Sequence, residues 1–395
     1  MSTHGRLRLF YFLYYGGIGV SIPYLAPYLR GLGFSGAEIG TVQGIGLLVS
    51  GPAALIWATW ADRRGSHGRA LRLASVVAAA AMFALPLART PAQVGLVLLV
   101  QGVSAPALVP LVDSITVDWL QREGRSSYAR TRLFGSVGFV LLAQGAGLVL
   151  SLRGDRSADC AVPWLLALCA LGYAAAAHAV RADLSSADGA AHPPRGEAVR
   201  RLFRDRGFLA LLLMGTFHWV ACAPFHLFFG VLVRDRGLSS GITGASMALA
   251  VSAEVGVLLA FPWLEKRVSL RALFSVAFAG TGLRWVLVWR VESAAVLVGV
   301  QALHGLTFGL FWASLIKALA AKVPTPLRST GQAIVSATVF GIGNALGFRL
   351  AGLGYDHFGR AEPLFGIASV IEIVPLVLAL AVATDAKRPP PSSGT

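Results

Sequence analysis

The chain contains long, uninterrupted apolar runs, and these constrain its fold more than any other feature. Twelve stretches of about 20 residues consist almost entirely of hydrophobic side chains. A helix of about 20 such residues crosses the hydrocarbon core of a bilayer. Within that core every backbone N–H and C=O must be paired inside the protein, so only helices and closed barrels can span it. Because the runs are continuous and do not alternate with a period of two, they predict helices.

The composition supports a membrane protein. Only 13% of the 395 residues are charged, whereas a soluble protein has about 25%, so water cannot be the solvent around most of this surface. The first apolar run is too long for a cleaved signal peptide and lacks a small-residue cleavage site. We place the twelve spans at 7–29, 37–60, 71–89, 93–117, 133–152, 163–181, 207–230, 241–262, 271–290, 294–316, 331–354 and 363–383.

The basic residues predict the orientation of these spans. The net charge of +15 could indicate nucleic-acid binding, but the basic residues lie in short clusters between the apolar runs, so no nucleic acid is predicted as a partner. Of the 34 Lys and Arg residues, 24 fall at the termini and even-numbered loops and eight on the opposite side. An excess of Lys and Arg marks the cytoplasmic side. Both termini are therefore predicted to be cytoplasmic, which requires an even number of spans.

The two halves of the sequence resemble each other at an offset of about 200 residues. GFSGAEIG at 33–40 precedes the second span, and GLSSGITG at 237–244 precedes the eighth. VQGVSAPAL, from Val100, matches VQALHGLTF, from Val300. Six spans return the chain to the same side of the membrane, so the halves are predicted to be parallel repeats. In transporters such repeats place the substrate site at their interface.

Eight ionisable side chains lie inside or at the edge of the predicted spans, where a charge is costly. Such residues usually face the interior of the bundle and mark the path of an ion or solute. The simpler explanation for each is a side chain near a helix end that extends its charge to the interface. The eight are Asp113, Arg132, His218, Glu254, Arg284, His304, Arg349 and Glu372.

Two groups of these residues fit a transport site. Asp113 in the fourth span can pair with Arg132 at the start of the fifth, and a ligand that competes for one partner can open such a pair. Glu254, Arg284 and His304 lie in three successive spans. A carboxylate can change its protonation when an arginine moves toward or away from it, and histidine titrates near neutral pH. The second group therefore has the elements needed to couple solute movement to protons.

The remaining three residues are less clearly assigned. His218 lies between Phe217 and Trp219, and we include it in the candidate site, although a purely structural histidine fits the same pattern. Arg349 lies near the end of the eleventh span, and the interface explanation fits it equally well. Glu372 has no partner that the sequence identifies.

Several segments resemble the major facilitator superfamily, and within it the phenylpropionate-permease-like branch, which is related to the lactose:proton symporter. The likeness covers nearly the whole chain. It implies an all-α membrane protein of twelve transmembrane helices in two parallel six-helix repeats, a monomer of the bacterial inner membrane without a cofactor. The segments that carry it are 10–40, PLVDSITVDWL at 110–120, YARTRLFGSVGF at 128–139, ALAVSAEV at 248–255, GLRWVLV at 282–288 and LHGLTFGLF at 303–311.

The resemblance implies roles for five of the intramembrane residues. Asp113 matches the acid on the fourth span of the lactose permease that engages substrate, and Arg132 matches its essential arginine on the fifth span. Glu254, Arg284 and His304 match its acid, arginine and histidine on the eighth, ninth and tenth spans. Together with His218, these residues form the predicted substrate and proton site.

The chain departs from the lactose permease at two places. That permease carries a further acid, its proton site, three residues after the histidine, where this chain has Thr307. Its lysine on the eleventh span has no counterpart here, since Phe340 and neutral neighbours occupy that region. Proton coupling would therefore have to use Glu254 or Asp113.

The loop between the second and third spans also resembles a superfamily motif. In ATWADRRGSHGR at 58–69, Asp62, Arg63, Gly65 and Arg69 match the motif, whereas Ala58 replaces a glycine. The resemblance implies a gating loop that latches the halves on the cytoplasmic side. A basic loop that only sets the topology is the alternative.

We therefore predict a secondary transporter for a small organic solute (an aromatic acid, a nucleoside or a sugar-like compound) that works by alternating access in symport with protons. The alternatives are a proton-driven exporter of amphipathic compounds and a non-transporting membrane sensor. No catalytic triad, metal-binding motif or nucleotide-binding loop is visible in the sequence, so neither an enzyme nor a metal site is predicted. The predicted domains are a first bundle at 1–182, a cytoplasmic linker at 183–206, a second bundle at 207–385 and a cytoplasmic tail at 386–395.

Overall fold

The computed structural model of the chain describes residues 2–64, 66–124, 128–180, 200, 202–324 and 327–381. For Asp62, Arg328 and Ser329 it describes the backbone alone. Most of the predicted linker and the whole predicted tail lie outside these residues. The domain boundaries drawn from the sequence therefore stay predictions.

Twelve helices are long and apolar enough to cross a membrane, as the hydropathy pattern predicts, and no strand occurs in the described part of the chain. Many of their outward side chains are large and apolar; Leu152 is 88% exposed and Leu259 78%. Such a surface suits lipid and would be unfavourable in water. The helices are α1 Thr3–Gly31, α2 Gly36–Ala61, α3 His67–Leu87, α4 Pro91–Arg122, α5 Tyr128–Leu152, α6 Ala161–Ala179, α7 Arg206–Asp235, α8 Ser240–Leu264, α9 Leu270–Arg290, α10 Ala294–Lys322, α11 Thr330–Phe358 and α12 Glu362–Ala381.

Several helices extend past the apolar runs that predicted them. α4 continues to Arg122, α7 to Asp235 and α10 to Lys322, and α5 begins at Tyr128, ahead of its apolar run. Hydropathy detects only the part of a helix that lies in hydrocarbon, whereas backbone hydrogen bonding continues into polar turns. Arg132 consequently lies inside α5 and is held by its first turns.

Three helices near the centre of the bundle change their winding midway. α4 contains a 3₁₀ turn at Ala105–Ala107. α10 has a π-helical turn at Gly305–Leu310, and α11 has one at Ser336–Ile342. π-helical turns leave part of the i→i−4 ladder unmade and are frequent at functional sites. The turn in α10 follows His304 directly.

The helices pack as two six-helix repeats, α1–α6 and α7–α12, and three helix pairs make most of the contact between them. These pairs are α2 with α11, α5 with α8, and α1 with α7. Close approach at one end of the bundle depends on glycine. A Cβ atom at Gly40 would overlap the Phe348 carbonyl oxygen, and one at Gly230 would overlap the Pro23 carbonyl oxygen. We call this end, where α2 and α8 begin, the closed end.

Two aspartates cap helices of the opposite repeat at the closed end. Asp356 of α11 accepts hydrogen bonds from the backbone N–H groups of Gly36 (2.6 Å) and Ala37 (2.8 Å) at the start of α2. Asp155, after α5, accepts one from the N–H of Ser240 (3.1 Å) at the start of α8. A carboxylate at a helix N-terminus satisfies unpaired donors and the helix dipole. The two caps lie at equivalent positions of the two repeats. The same kind of helix cap therefore stabilises the α2–α11 contact and the α5–α8 contact.

Further hydrogen bonds join the repeats at the same end. Tyr24 donates to the Ser240 carbonyl at 3.3 Å, and Arg234 donates to the Pro27 carbonyl at 3.0 Å. Arg349, whose role the sequence left open, donates to the Thr41 hydroxyl at 3.0 Å. Between described residues, no hydrogen bond joins the repeats outside the closed end. Among the described residues, the hydrogen bonds between the repeats therefore hold one end of the bundle shut.

We expect Asp356→Ala to loosen the closed end, because the first turn of α2 loses its cap. A lost N-cap costs about 1 kcal/mol, which corresponds to a roughly fivefold shift toward the open state. The readout is the rate at which a membrane-impermeant maleimide labels Thr243→Cys, a buried position of α8, in a background where the exposed Cys160 is serine.

Glu38→Ala is the matched control, because Glu38 lies in the same turn of α2 but caps its own helix through the Ser35 N–H. It should leave the labelling rate near that of the parent. An Asp356→Ala protein that labels no faster than the Glu38→Ala protein would show that the caps do not hold the end shut.

Candidate functional site

A cavity of about 480 Å³ lies between the two repeats. Helices α1, α2, α3, α4 and α6 contribute its walls from the first repeat, and α7, α10 and α11 from the second. The lining includes no Asp, Glu, Lys or Arg among the residues that the structure describes. Its polar and aromatic side chains are Tyr14, Ser21, Gln43, Ser50, Gln101, Tyr173, Trp219, His226, Phe308, Asn344 and Phe348.

Five lining side chains each have a buried polar atom without a hydrogen-bond partner. Buried polar groups are normally paired, so a cluster of unpaired ones around a cavity indicates a place for a ligand or water. The set offers both donors and acceptors. The atoms are Gln43 Nε2, Gln101 Oε1, the Tyr173 hydroxyl, Trp219 Nε1 and Asn344 Oδ1. Tyr173 lies toward the Gln101 amide without reaching hydrogen-bonding geometry.

These residues are neutral, so a search of the sequence for charges inside the spans does not find them. A neutral amide inside an apolar run is also costly in a bilayer, and such an amide often has a functional role. Gln43, Gln101 and Asn344 interrupt otherwise apolar spans, and this signal could have identified them.

Arg284 is fully buried in α9 and has a complete set of neutral partners. Its guanidinium donates to Gln301 Oε1 at 2.6 and 3.2 Å and to the Thr307 hydroxyl at 3.3 Å. The rings of Phe225 and Trp285 lie 4.1 and 4.6 Å from the guanidinium carbon. No carboxylate of the described chain lies within 4.0 Å of it. A permanent cation is thus held in the second repeat by dipoles and ring faces.

His304 lies between Arg284 and Glu254. Arg284 Nη1 is 3.0 Å from His304 Nδ1, and His304 Nε2 is 3.7 Å from Glu254 Oε2. An arginine can only donate, so Nδ1 must accept and the hydrogen of a neutral His304 ring must sit on Nε2, toward Glu254. In this conformation the imidazole of His304 lies between Glu254 and Arg284. The predicted change in the distance between Glu254 and Arg284 during transport stays a prediction.

Asp113 and Arg132 do not form the ion pair that the sequence predicts. Tyr11 of α1 donates to Asp113 Oδ1 at 2.6 Å. Arg132 stacks on the Tyr15 ring, with 3.8 Å between the guanidinium carbon and the ring centroid. Tyr11 and Tyr15 of α1, whose orientation the sequence does not predict, thus contact both charged groups. Arg132 lies on α5, the helix of the first repeat that packs against α8, which carries Glu254.

His218 has a partner that the sequence did not identify. Its side chain is fully buried, and Nδ1 lies 2.8 Å from Oε1 of Glu372, which is 2% exposed. Its Nε2 lies 2.9 Å from the Thr307 carbonyl oxygen. Glu372, unassigned from the sequence, is therefore paired across α7 and α12.

His218, Cys222 and Glu372 bring three potential metal-binding atoms within 4.8 Å of one another. The arrangement fits a metal poorly, since Glu372 and Cys222 approach opposite nitrogens of the ring. Both nitrogens also already have hydrogen-bond partners. We therefore interpret the cluster as a hydrogen-bonded pair with a neighbouring thiol.

The predicted gating loop is only partly visible. Gly65 and the side chain of Asp62 lie outside the described residues. Arg63 at the end of α2 and Arg69 in α3 are exposed. The latch that the motif implies stays a prediction.

Comparison with known proteins gives one family over most of the chain. The profile of the MFS_1 like family matches residues 4–365. The probable 3-phenylpropionic acid transporter of Escherichia coli (strain K12) is 24% identical over 384 residues, which cover 94% of this chain and 96% of that protein. The maltose permease of Geobacillus stearothermophilus is 28% identical over 383 residues, covering 94% and 93%.

Solved structures show the same fold. The nucleoside transporter NupG has a TM-score of 0.81 at 18% identity, over 96% of this chain and 98% of that one. A bacterial homologue of the human lysosomal transporter Spinster, in an inward-facing and unoccupied conformation, has a TM-score of 0.75 at 16% identity, over 96% and 95%. This chain therefore belongs to the MFS_1 like family of major facilitator superfamily transporters, integral membrane proteins that carry small solutes by secondary transport and are not enzymes.

Proposed function

We propose that this protein moves a small organic solute across a bacterial inner membrane by alternating access, in symport with protons. The observation that carries the proposal is the cavity between the repeats, which has unpaired polar groups on its walls and is shut at one end by contacts between the repeats. Rocking of two parallel repeats about a central site exposes that site to each side in turn.

The distribution of basic residues orients this cycle. The predicted cytoplasmic loops lie at the end opposite to the aspartate caps, so the closed end faces outward. The conformation described here is then the one that opens toward the cytoplasm, with both termini on that side. One chain contains both repeats and the whole cavity, which supports a monomer as the working unit.

The cavity walls support a neutral, hydroxylated or amide-bearing solute. Amide, hydroxyl and indole groups can bind the hydroxyls of a sugar or the edge of a nucleobase, and Phe308 and Tyr14 offer faces for stacking. A nucleoside or sugar-like compound fits this lining better than an aromatic acid does. An acid would need Arg132 or Arg284, and both cations lie outside the lining.

Export of amphipathic compounds is the second candidate, and one feature favours it. A large part of the cavity wall is apolar, and this part could hold the hydrophobic portion of such a compound. The side chains concerned include Ile18, Leu25, Met82, Leu166 and Phe348. Counterflow in vesicles of known orientation distinguishes uptake from export.

We expect Gln101→Leu to weaken solute binding, because the substitution removes an acceptor from the cavity wall. The loss of one hydrogen bond to a desolvated group raises the KM roughly tenfold. The measurement is uptake into proteoliposomes of a radiolabelled panel that contains a nucleoside, a disaccharide and 3-phenylpropionate, with the affected KM determined for the transported compound.

Gln121→Leu is the control, since Gln121 lies on the same helix but is exposed at its end and does not line the cavity. Transport of 3-phenylpropionate alone, with a KM unchanged by Gln101→Leu, would contradict the proposal of a neutral solute.

We infer that Glu254 is the acid that exchanges the coupling proton at the repeat interface. Glu254 lies on α8, which packs against α5 of the other repeat, the helix that carries Arg132, and its carboxylate is 3.7 Å from His304 Nε2 of its own repeat. When the repeats rock, the distance to Arg132 changes while the distance to His304 need not. A movement of the repeats can therefore change the protonation of Glu254, which is the requirement for coupling.

Glu254→Gln is expected to abolish accumulation driven by a proton gradient and to retain solute counterflow. The amide keeps the shape and polarity of the side chain but cannot exchange the proton. Accumulation and counterflow are measured in the same vesicles.

Glu265→Gln is the matched control on the same segment. Glu265 follows α8 directly and pairs with Lys317 at 3.2 Å, away from the cavity. Its substitution should leave both activities near the parent level. Gradient-driven accumulation that survives in the Glu254→Gln protein would refute the role of Glu254.

A further inference from the structure

His218 and Glu372 form a buried pair whose proton content follows from its geometry. Nε2 of His218 lies 2.9 Å from the Thr307 carbonyl oxygen. A carbonyl oxygen can only accept, so Nε2 must carry a hydrogen. At the other side of the ring, Nδ1 and Glu372 Oε1 are 2.8 Å apart. Two bare acceptors would repel at this distance, so one proton must lie between them.

The shared proton explains why the pair is tolerated in its surroundings. Either the imidazolium faces a carboxylate or the neutral ring faces a carboxylic acid, and the net charge is zero in both cases. An uncompensated charge would be costly here, because Phe278 and Phe311 contact the ring. Removing the proton would leave one negative charge and no hydrogen in the 2.8 Å contact. Release of the proton therefore requires α7 and α12 to move apart or Glu372 to rotate.

The titratable and charged groups around the pair allow such a release. On its own helix, Cys222 lies 3.8 Å from Nε2, and His226 follows one turn later. Arg284 of α9 contacts Thr307, the residue whose carbonyl accepts from His218, and it also contacts His304 of α10. Arg284 is the one permanent cation among these described groups and has no carboxylate partner within 4.0 Å. A deprotonated His218–Glu372 pair would provide Arg284 with a nearby negative charge.

Glu372 also has an alternative hydrogen-bond donor within reach. Its Oε2 is buried without a partner, and so is the indole Nε1 of Trp285. Glu372 packs against Gly282 of α9, about one turn before Trp285 on the same helix. A small rotation of Glu372 would give a deprotonated carboxylate a donor in place of the shared proton.

Thr307 connects the pair to the cluster at the repeat interface. Its carbonyl accepts from His218, and its hydroxyl accepts from Arg284 at 3.3 Å. Both contacts come from the π-helical turn at Gly305–Leu310, directly after His304. A change in the winding of that turn alters the two contacts together. The pair can therefore respond to events at Glu254 and His304 without touching the cavity.

We propose that His218 and Glu372 form a second proton-binding site of this transporter, which loads and releases one proton in step with the π-helical turn of α10. The proposal rests on proton-coupled transport as the proposed function. The pair binds neither the solute nor a metal. It sets the charge beside Arg284 as the repeats change state.

The experiment compares Glu372→Gln with the parent protein and with Glu265→Gln as control. In Glu372→Gln the amide can donate to Nδ1 of a neutral His218, so the contact survives without an exchangeable proton. We expect counterflow within about twofold of the parent, and gradient-driven accumulation at least tenfold lower. In weakly buffered solution the purified variant should bind about one proton per molecule fewer than the parent. Parent-like accumulation together with parent-like proton binding would overturn the proposal.

A second measurement tests the proposal if the Glu372→Gln protein fails to fold. With histidine-selective ¹⁵N labelling of the unsubstituted chain, one ring should show a hydrogen on Nε2 and a shared proton at Nδ1 while other histidines titrate. A His218 ring with a bare Nδ1 would refute the site. If the parent protein moves solute without any proton dependence, the symport proposal fails. The ¹⁵N spectrum and the number of protons bound would still test whether His218 and Glu372 share a proton.

Discussion

Arg284 is a permanent cation that the second repeat encloses completely, and much of the arrangement around it follows from this fact. Water cannot reach the guanidinium, so protein groups must replace its hydration. Gln301 accepts two of its hydrogen bonds, His304 and Thr307 accept others, and Phe225 offers its ring face. These contacts fix the tautomer of His304 and the orientation of Thr307. His304 connects the cation to Glu254, and Thr307 connects it through His218 to Glu372.

The two carboxylates are placed differently, and the difference suggests a division of roles. Glu254 lies on α8, which packs against α5 of the other repeat, so a change in the relative position of the repeats alters its surroundings. Glu372 lies inside the second repeat and changes state only if helices of that repeat shift. Both connect to Arg284 through α10, whose winding is irregular at this point. A helix with a π-helical turn can rewind locally without breaking, which suits a link between two sites.

The charged groups and the cavity are adjacent but separate. The wall of the cavity carries neutral amides, hydroxyls and an indole, whereas Asp113, Arg132, Glu254, Arg284, His304 and Glu372 lie outside its lining. A neutral wall desolvates an uncharged solute at low cost and leaves the charges to respond to movement of the helices. At the closed end, Asp356 and Asp155 hold the repeats together through helix N-termini. Opening that end must break both caps, while the other end has no such hydrogen bonds between described residues.

The sequence by itself determined the solvent, the number of helices and their repeat, because apolar length and loop charge are local properties of the chain. It also identified the residues that do not belong in lipid, among them Arg284, His304 and Glu254. It could not determine which of them meet. The tertiary structure placed His304 between the other two, gave Asp113 to Tyr11, and paired Glu372 with His218 across 154 residues of chain. Such contacts depend on the rotation of each helix about its axis and on the irregular turn in α10, and neither is set by hydropathy.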